Sequence, residues 1–331
     1  MYRESFSSIR KKTNEREIKF WRGTRSVFVL IFISLYTVVP CLKAQDEVIR
    51  VETDLVNIPV SVFYRDGRYV ADLTQKEFRI FEDGIEQDVA VFSPVSESVT
   101  IMILVDVSSS LTNSQSTEMV EAINILVQKL RHDDTLIAAT YSYRTYPILN
   151  ETKVGNIKKS IKIELHPYDA QTLIYDAVDY ALKKMRKVRG KKAIILFGDG
   201  TDSGLSASFK GTIKDAEEGE TIIYPIQYRL RPNPPYTDPK KFQRSIEKAT
   251  DYMTSLAQKT GGRHFFVDEI TDLRKSFEDI SVEMRSQYLI GYYPITIGKK
   301  EERRRITVKV DRPDVAVRSR TEVVYTRSKS Q

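Results

Sequence analysis

Ile101-Met102-Ile103-Leu104-Val105-Asp106-Val107-Ser108-Ser109-Ser110 is the stretch on which the fold of this chain turns. Five apolar residues ending on an acidic one read as a strand buried on both faces of a parallel sheet, its last side chain reaching the sheet edge. The Asp-x-Ser-x-Ser spacing then puts one carboxylate and two hydroxyls on a single tight turn. All are hard oxygen donors, a set that suits Mg²⁺ or a similar divalent cation and not zinc or copper. The same residues allow a plainer reading, in which the serines cap the next helix and Asp106 only starts a loop.

Two later segments bear on that choice. Lys192-Ala193-Ile194-Ile195-Leu196-Phe197 is another buried strand, and it too ends in an acidic turn, Gly198-Asp199-Gly200-Thr201-Asp202-Ser203. Between the two strands, Gln171-Thr172-Leu173-Ile174-Tyr175-Asp176-Ala177-Val178 places a threonine at the opening of an apolar-periodic helix. In this order the three segments resemble the metal-ion-dependent adhesion site of von Willebrand factor type A (VWFA) domains. The resemblance implies that Ser108, Ser110 and Thr172 are hydroxyl ligands, and that Asp106 and Asp199 hold the ion directly or through water. Ala170-Gln171 stands where many members carry a glycine pair. That departure leaves the path of the threonine loop open, but not its donor.

The first 44 residues read as a targeting segment outside the fold. Basic residues from Arg3 to Arg25 precede an apolar run of 13 residues (27–39), then a polar break with Ala44 before Gln45. That is the layout of a secretory signal, with a core short for a membrane span. The alternative is an uncleaved membrane anchor through residues 27–42. Localisation is therefore expected to be extracytoplasmic, periplasmic or secreted. The segment holds 9 of the chain's 52 Lys+Arg and 3 of its 45 Asp+Glu, so the formal net charge of +7 falls to +1 for the 43 basic and 42 acidic residues that remain. Nothing in that balance calls for nucleic acid as a partner, and a membrane enters only through an uncleaved amino-terminal segment. The single cysteine, Cys41, lies in the same segment, which excludes a disulfide framework, a thiolate metal site or a cysteine nucleophile from the remainder.

About 287 residues are left, enough for one α/β domain and a smaller partner. Val56, Ile58, Val60, Val62 and Tyr64 alternate as in a half-buried strand, followed by the turn Arg65-Asp66-Gly67-Arg68. Thr74-Gln75-Lys76-Glu77 has capping-box form, and residues 78–81 and 89–92 read as a hairpin around Glu82-Asp83-Gly84. From Ile101 strands alternate with helices of 12 to 18 residues, the pattern of a doubly wound, mostly parallel sheet flanked by helices. Strands return at 288–293, at Ile306, Val308 and Val310, and at 315–318 after the turn Asp311-Arg312-Pro313-Asp314. Neither strand-rich end can bury a sheet alone. The expected organisation is a β-rich segment (46–98), a VWFA-like α/β domain carrying the metal site (99–287), a second β-rich segment (288–326) pairing with the first in a small β-sandwich, and a tail (327–331). The run Leu-Thr-x-x-Glu-Phe-x-x-Phe-Glu-Asp-Gly-x-x-Gln at 73–87 and Gln-Tyr-Leu-Ile-Gly-Tyr-Tyr-Pro at 287–294 resemble a group of exported VWFA-related bacterial proteins abundant in Acidobacteria.

Other chemistry finds little support. His132, His166 and His264 lack metal-ligand spacing and read as structural. There is no Gly-x-Ser-x-Gly elbow, Walker loop or dinucleotide fingerprint. An aspartyl nucleophile at Asp106 would want a second aspartate two residues on, where Ser108 stands. No enzyme activity is expected. Arg303-Arg304-Arg305 reads as a solvated hairpin turn.

Ligands of open parallel sheets bind beyond the carboxyl ends of the strands. The site should therefore share its face with Tyr143 and Arg144, and with a proline-rich loop at 231–241 carrying Arg231, Tyr236 and Lys240. The expected function is metal-bridged adhesion: Mg²⁺ or Mn²⁺, ahead of Ca²⁺, takes a carboxylate of a protein partner as its last ligand, and the loops form the partner-binding rim. The competing reading is a structural or assembly module of the cell envelope whose metal never exchanges ligand.

Overall fold

The computed structural model describes residues 55–108, 113–163, 171–204, 206–228, 238–268, 271–296, 299 and 302–325. The expected targeting segment (1–44), Ser110, His166, Arg231, Tyr236 and the tail lie outside the described residues.

Strand β5 (Val99–Asp106) is the centre of the α/β layer. It pairs in parallel with β6 (Thr135–Tyr141) on one side and β8 (Lys191–Gly198) on the other. β8 pairs in parallel with β9 (Ile222–Tyr228), and β9 with β10 (Phe265–Val267). An antiparallel strand, β7 (Thr145–Lys153), closes the opposite edge, giving the order β10-β9-β8-β5-β6-β7. The period-2 geometry of a strand decides which side chains face which helices. Ile101, Ile103 and Val105 share a core with Met119, Ile123 and Leu126 of α1 (Asn113–Lys129) and with Leu273, Phe277 and Ile280 of α5 (Thr271–Arg285). Met102 and Leu104 point the other way, toward α2 (Ile174–Met185), α3 (Phe209–Glu218) and α4 (Pro239–Thr260). With both faces covered, the strand has no polar side, hence its unbroken apolar run.

At 22 residues α4 is longer than the sequence suggests. Its bounds follow from capping: the Asp238 side chain accepts from the Lys240 N–H, Pro239 opens the first turn, and Gly261 at φ 81° ends the last one.

The ends of the chain meet in two antiparallel sheets. β1 (Val56–Tyr64) lies between β11 (Gln287–Tyr292) and β13 (Val315–Ser319), and β4 (Val91–Ser93) completes the order β13-β1-β11-β4. The second sheet runs β14-β12-β2-β3, from β2 (Phe78–Glu82), β3 (Ile85–Gln87), β12 (Arg303–Val310) and β14 (Glu322–Val324). Between them Val56, Ile58, Val60 and Val62 pack with Phe78, Ile80, Tyr288, Ile290, Ile306 and Val308. Each sheet takes strands from both ends, so neither end has a complete sheet of its own.

Three expectations are corrected here. The hairpin from β2 returns at Ile85–Gln87, not at 89–92, because Asp83 (φ 47°) and Gly84 (φ 85°) make a two-residue turn that reverses the chain at once. Residues 91–93 cross to the other sheet and pair with β11. β1 is not half-buried, since Pro59 and Ser61 are covered as well. Its second face abuts the α/β layer, where Asn57 Nδ2 donates to Glu220 (2.8 Å) and a small cavity joins Pro59 to Lys191, Lys192 and Ile222. Finally, Arg303-Arg304-Arg305 lies within β12 and is no solvated turn. Alternation turns Arg304 inward, where its guanidinium meets Glu82 at 2.9 Å and Glu302 at 2.8 Å. Arg303 faces outward and forks onto the buried carboxylate of Glu217 at 2.7 and 2.8 Å.

The Thr74–Glu77 turn forms as the sequence suggests, with the Glu77 carboxylate accepting from the Thr74 N–H (2.8 Å) and hydroxyl (3.0 Å). His264 packs on Phe266 with ring centres 4.2 Å apart and lies 2.9 Å from the Thr254 hydroxyl, and burial lowers its pKa to about 4. Among the described residues no helix is long and apolar enough to cross a membrane.

Candidate metal centre

The parallel register sets three strand ends side by side. Tyr141 of β6 is the register partner of Asp106, and Phe197 of β8 partners Val105, which brings Gly198 up to Asp106 on its other flank. Only glycine fits there. A Cβ on Gly198 would lie 3.2 Å from the Asp106 Cβ and 3.3 Å from its Oδ2, and would strike the Tyr141 hydroxyl. That hydroxyl donates to the Phe197 carbonyl at 3.2 Å. A glycine ending a strand marks such a close approach.

Four loops converge beyond these ends, and backbone hydrogen bonds join them. Val107 N–H donates to the Tyr141 carbonyl (2.9 Å), Leu173 N–H to the Ser142 carbonyl (2.9 Å), and Ser203 N–H to the Thr172 carbonyl (2.8 Å). The Thr172 loop is therefore anchored to the β6 turn on one side and to the β8 turn on the other. Asp106, Ser108, Thr172 and Asp199 are all buried.

The two carboxylates are held differently. Asp199 Oδ1 accepts from the Thr201 N–H and hydroxyl, both at 2.7 Å, and the Asp199 carbonyl accepts from Gln227 Nε2 at 2.8 Å. Gln227 is fixed in turn by the Thr250 hydroxyl of α4 (3.2 Å). Asp106 Oδ1 accepts from the Ser108 N–H at 2.8 Å, whereas its Oδ2 is buried with no hydrogen-bond partner. Burial, then the negative charge of Asp199, pushes Asp106 up to about 7; burial also raises Asp199. Buried polar atoms are nearly always satisfied, and two buried carboxylates repel. A hard cation between the loops would remove both penalties, so the residues fit a divalent ion of the Mg²⁺ type. Among the described residues no three His, Cys, Asp or Glu side chains cluster in a metal-holding arrangement. The set here has two carboxylates, and its other donors are hydroxyls.

On the rim, Tyr143 is 40% exposed in the β6–β7 turn, and the exposed Arg144 guanidinium lies 5.6 Å from its ring centre. Among the described residues Arg144 makes no ion pair, and its carbonyl accepts from the Ser142 N–H (3.0 Å), so this turn and the Thr172 loop share one residue. Lys240 is exposed in the first turn of α4, where its N–H completes the Asp238 cap (2.9 Å). From sequence Tyr141 has a core-packing role, which its full burial matches, while Gly198 and Gln227 are left unassigned. Of these, Gln227 had a signal, being a lone amide inside the apolar strand Ile222–Tyr228.

Gly198→Ala should test this packing. Overfilling of this kind costs about 1–3 kcal/mol. Denaturant unfolding of the metal-free variant should show a loss in that range, and an unchanged midpoint would mean the strand ends are further apart.

A search of curated protein sequences finds no match. Among solved structures, proximal thread matrix protein 1 from the mussel byssus aligns at 15% identity over 57% of this chain and 48% of its own, with a TM-score of 0.43, so the aligned part is about half that protein's length. A von Willebrand factor type A structure from Catenulispora acidiphila aligns at 11% identity over 76% and 74%, TM-score 0.44. The ArnB paralog VWA2 from Sulfolobus acidocaldarius aligns at 13% over 82% and 75%, TM-score 0.43. The family model of the von Willebrand factor type A domain matches residues 100–279, from the second residue of β5 into α5. That match takes in more than half of the 331 residues, and the chain belongs to the von Willebrand factor type A domain family.

Proposed function

We propose that this protein is an exported binding module that uses a Mg²⁺-type site at the carboxyl edge of its α/β sheet to take a carboxylate of a protein partner. Domains of this family generally mediate metal-dependent protein–protein interaction. The observation that carries the reading for this chain is the buried, unpartnered Oδ2 of Asp106 beside Asp199. Asp106 and Asp199 would hold the ion with the hydroxyls of Ser108, Ser110 and Thr172, and Mn²⁺ would serve in place of Mg²⁺ better than Ca²⁺, which prefers more ligands. When bound, the ion supplies a concentrated positive charge and an exchangeable water position that a carboxylate can fill. Thr201 and Gln227 keep Asp199 in place.

Specificity would come from the rim, because a metal accepts any accessible carboxylate. Tyr143 and Arg144 favour this, the aromatic ring as an anchor and the unpaired guanidinium as a match for an acidic surface. Arg231, Tyr236 and Lys240 would extend the rim. The reading is of a binding protein, not an enzyme.

Three measurements test it. A pull-down from the envelope fraction of the source cell should recover a partner with Mg²⁺ and lose it with chelator, and Asp106→Ala should lose it in both conditions. Calorimetry should give Mg²⁺ binding to the wild type and none to Asp106→Ala. Equal affinity in both would overturn the site, while chelator-resistant capture would favour a structural module with a non-exchanging ion. For export, the recovered protein should begin at or near Gln45 by amino-terminal sequencing. An intact terminus in the membrane fraction would instead favour an anchor through residues 27–42.

A further inference from the structure

Residues 239–248 of α4 overhang the edge that carries Asp106 and Asp199. At the far end of the helix Thr260 Oγ1 accepts from the Ile223 N–H (3.0 Å), level with the start of β9, and Lys259 meets Glu322 of the sandwich at 3.1 Å. One strand length away, the Thr250 hydroxyl meets Gln227 near the end of β9 (3.2 Å). A Cβ on Gly200, next to Asp199, would lie 3.1 Å from the Ala249 Cβ. The helix nevertheless begins at Pro239, and Ala249 is its first buried residue. At 1.5 Å per residue, about 15 Å of helix therefore stands beyond the strand ends.

Four cations line one side of this overhang. Lys240, Lys241, Arg244 and Lys248 fall at i, i+1, i+4 and i+8, within about 100° of the helix circumference, and all four are exposed. Lys248 Nζ lies 5.6 Å from the centre of the Tyr175 ring, in the first turn of α2 just after Thr172. The stripe thus starts beside the Thr172 loop and rises away from it. Phe209 of α3 meets α4 one turn below Lys248, at Tyr252, with ring centres 5.1 Å apart.

Nearby acids offset little of this charge. Among the described residues Lys240, Lys241 and Arg244 make no ion pair. Asp238 caps the helix on the Lys240 N–H (2.9 Å), and Glu247 accepts from Gln243 Nε2 (3.0 Å). Asp202 and Asp251 stand by Lys248, at the base of the stripe. The arrangement works against the helix in two ways. Lys240, Arg244 and Lys248 stack like charges four residues apart, and the first turn carries lysines and no acid where the helix dipole favours negative charge. A face that is merely solvated alternates its signs, and local rules are broken mostly at functional sites.

We infer that this stripe holds an extended acidic segment of the protein partner, while one further carboxylate of that segment goes to the metal, a step that rests on the metal-site reading above. Cations four apart on a helix rise about 6 Å per step, and alternate residues of an extended chain are about 6.6 Å apart. A segment with Asp or Glu at every second position therefore meets Lys248, Arg244 and Lys240 in turn. The stripe has no aromatic residue on which a base would stack, which favours a peptide over single-stranded nucleic acid.

The test uses the full chain and a fluorescein-labelled peptide of alternating Glu and Thr, at one low ionic strength, with Mg²⁺ or with chelator. Wild type should bind the peptide in both conditions, and more tightly with Mg²⁺. K240Q/K241Q/R244Q should lose roughly tenfold in affinity in each, the combined effect of three exposed charge pairs, and added salt should erase the difference. Its Mg²⁺ affinity should equal that of wild type by calorimetry, and it should unfold at no lower temperature, since mutually repelling charges are gone. Equal peptide affinity of wild type and variant with Mg²⁺ overturns the inference and leaves the metal site standing. A loss in the variant with no effect of chelator keeps the stripe and removes the metal from the contact. Absence of peptide binding to wild type overturns the inference, as does tighter binding of labelled oligothymidylate, which would assign the stripe to nucleic acid.

Discussion

Asp106→Asn should make the metal-free protein more stable than wild type, an advantage that saturating Mg²⁺ removes. The carboxylate is fully buried with one oxygen unpartnered, and its pKa is raised from 3.8 to about 7. A group whose folded pKa is raised favours the folded state while protonated. That contribution is complete below pH 3.8 and is lost as pH rises through about 7. Asparagine mimics the protonated acid at every pH. The stability difference between variant and wild type, without metal, should therefore open from pH 4 upward and level off above pH 7, at up to about 4 kcal/mol for a shift of this size. With Mg²⁺ the gap closes. The wild type gains about 4.1 kcal/mol at a free concentration about a thousand times the dissociation constant, which offsets the whole difference, and the variant gains nothing. Urea unfolding across pH, with and without Mg²⁺, reads both halves. A variant no more stable than wild type without metal would show that Asp106 is already satisfied by its surroundings. A Mg²⁺-dependent gain in the variant would remove it from the ligand set.

This trade-off also explains how much of the site could be read before the fold was known. Asp106, Ser108, Thr172 and Asp199 stood out because a candidate site breaks the local rule: a carboxylate ends the apolar run from Ile101 to Val105. What fixes those residues in space was less visible. Gly198 looked like part of a turn, and only the lateral register of β5 and β8 shows that it makes room for Asp106. Gln227 is 28 residues from Asp199 in sequence and bonds its carbonyl. The α/β layer was legible because buried strands and amphipathic helices carry strong periodic signals. The sandwich was harder, since its strands are short and each pairs with one distant in sequence. The reading of 89–92 as a hairpin partner followed the apolar pattern and overlooked the turn. Asp83-Gly84 reverses the chain within two residues and settles the matter.

The joint between sandwich and α/β layer yields the second large effect, at Glu283. This residue of α5 has no exposed surface, and its carboxylate is shared by three elements. Arg318 of β13 lies 2.5 Å from Oε1, the Tyr224 hydroxyl of β9 donates at 3.2 Å, and the Tyr69 hydroxyl, after β1, at 3.1 Å. Glu283→Ala should destabilise the protein by about 3 kcal/mol, because it leaves the buried Tyr224 phenol and the partly exposed Arg318 guanidinium and Tyr69 phenol without their carboxylate. The pair itself contributes far less than that, since burying both charges costs nearly what their attraction returns. E283L/R318L should accordingly recover most of the loss, with a coupling of at least about 1 kcal/mol between the two positions. Denaturant midpoints of E283L, R318L and the double variant close the cycle. If the double variant is as unstable as the sum of the singles, the carboxylate acts mainly through Tyr69 and Tyr224, and the ion pair is not what binds α5 to β13.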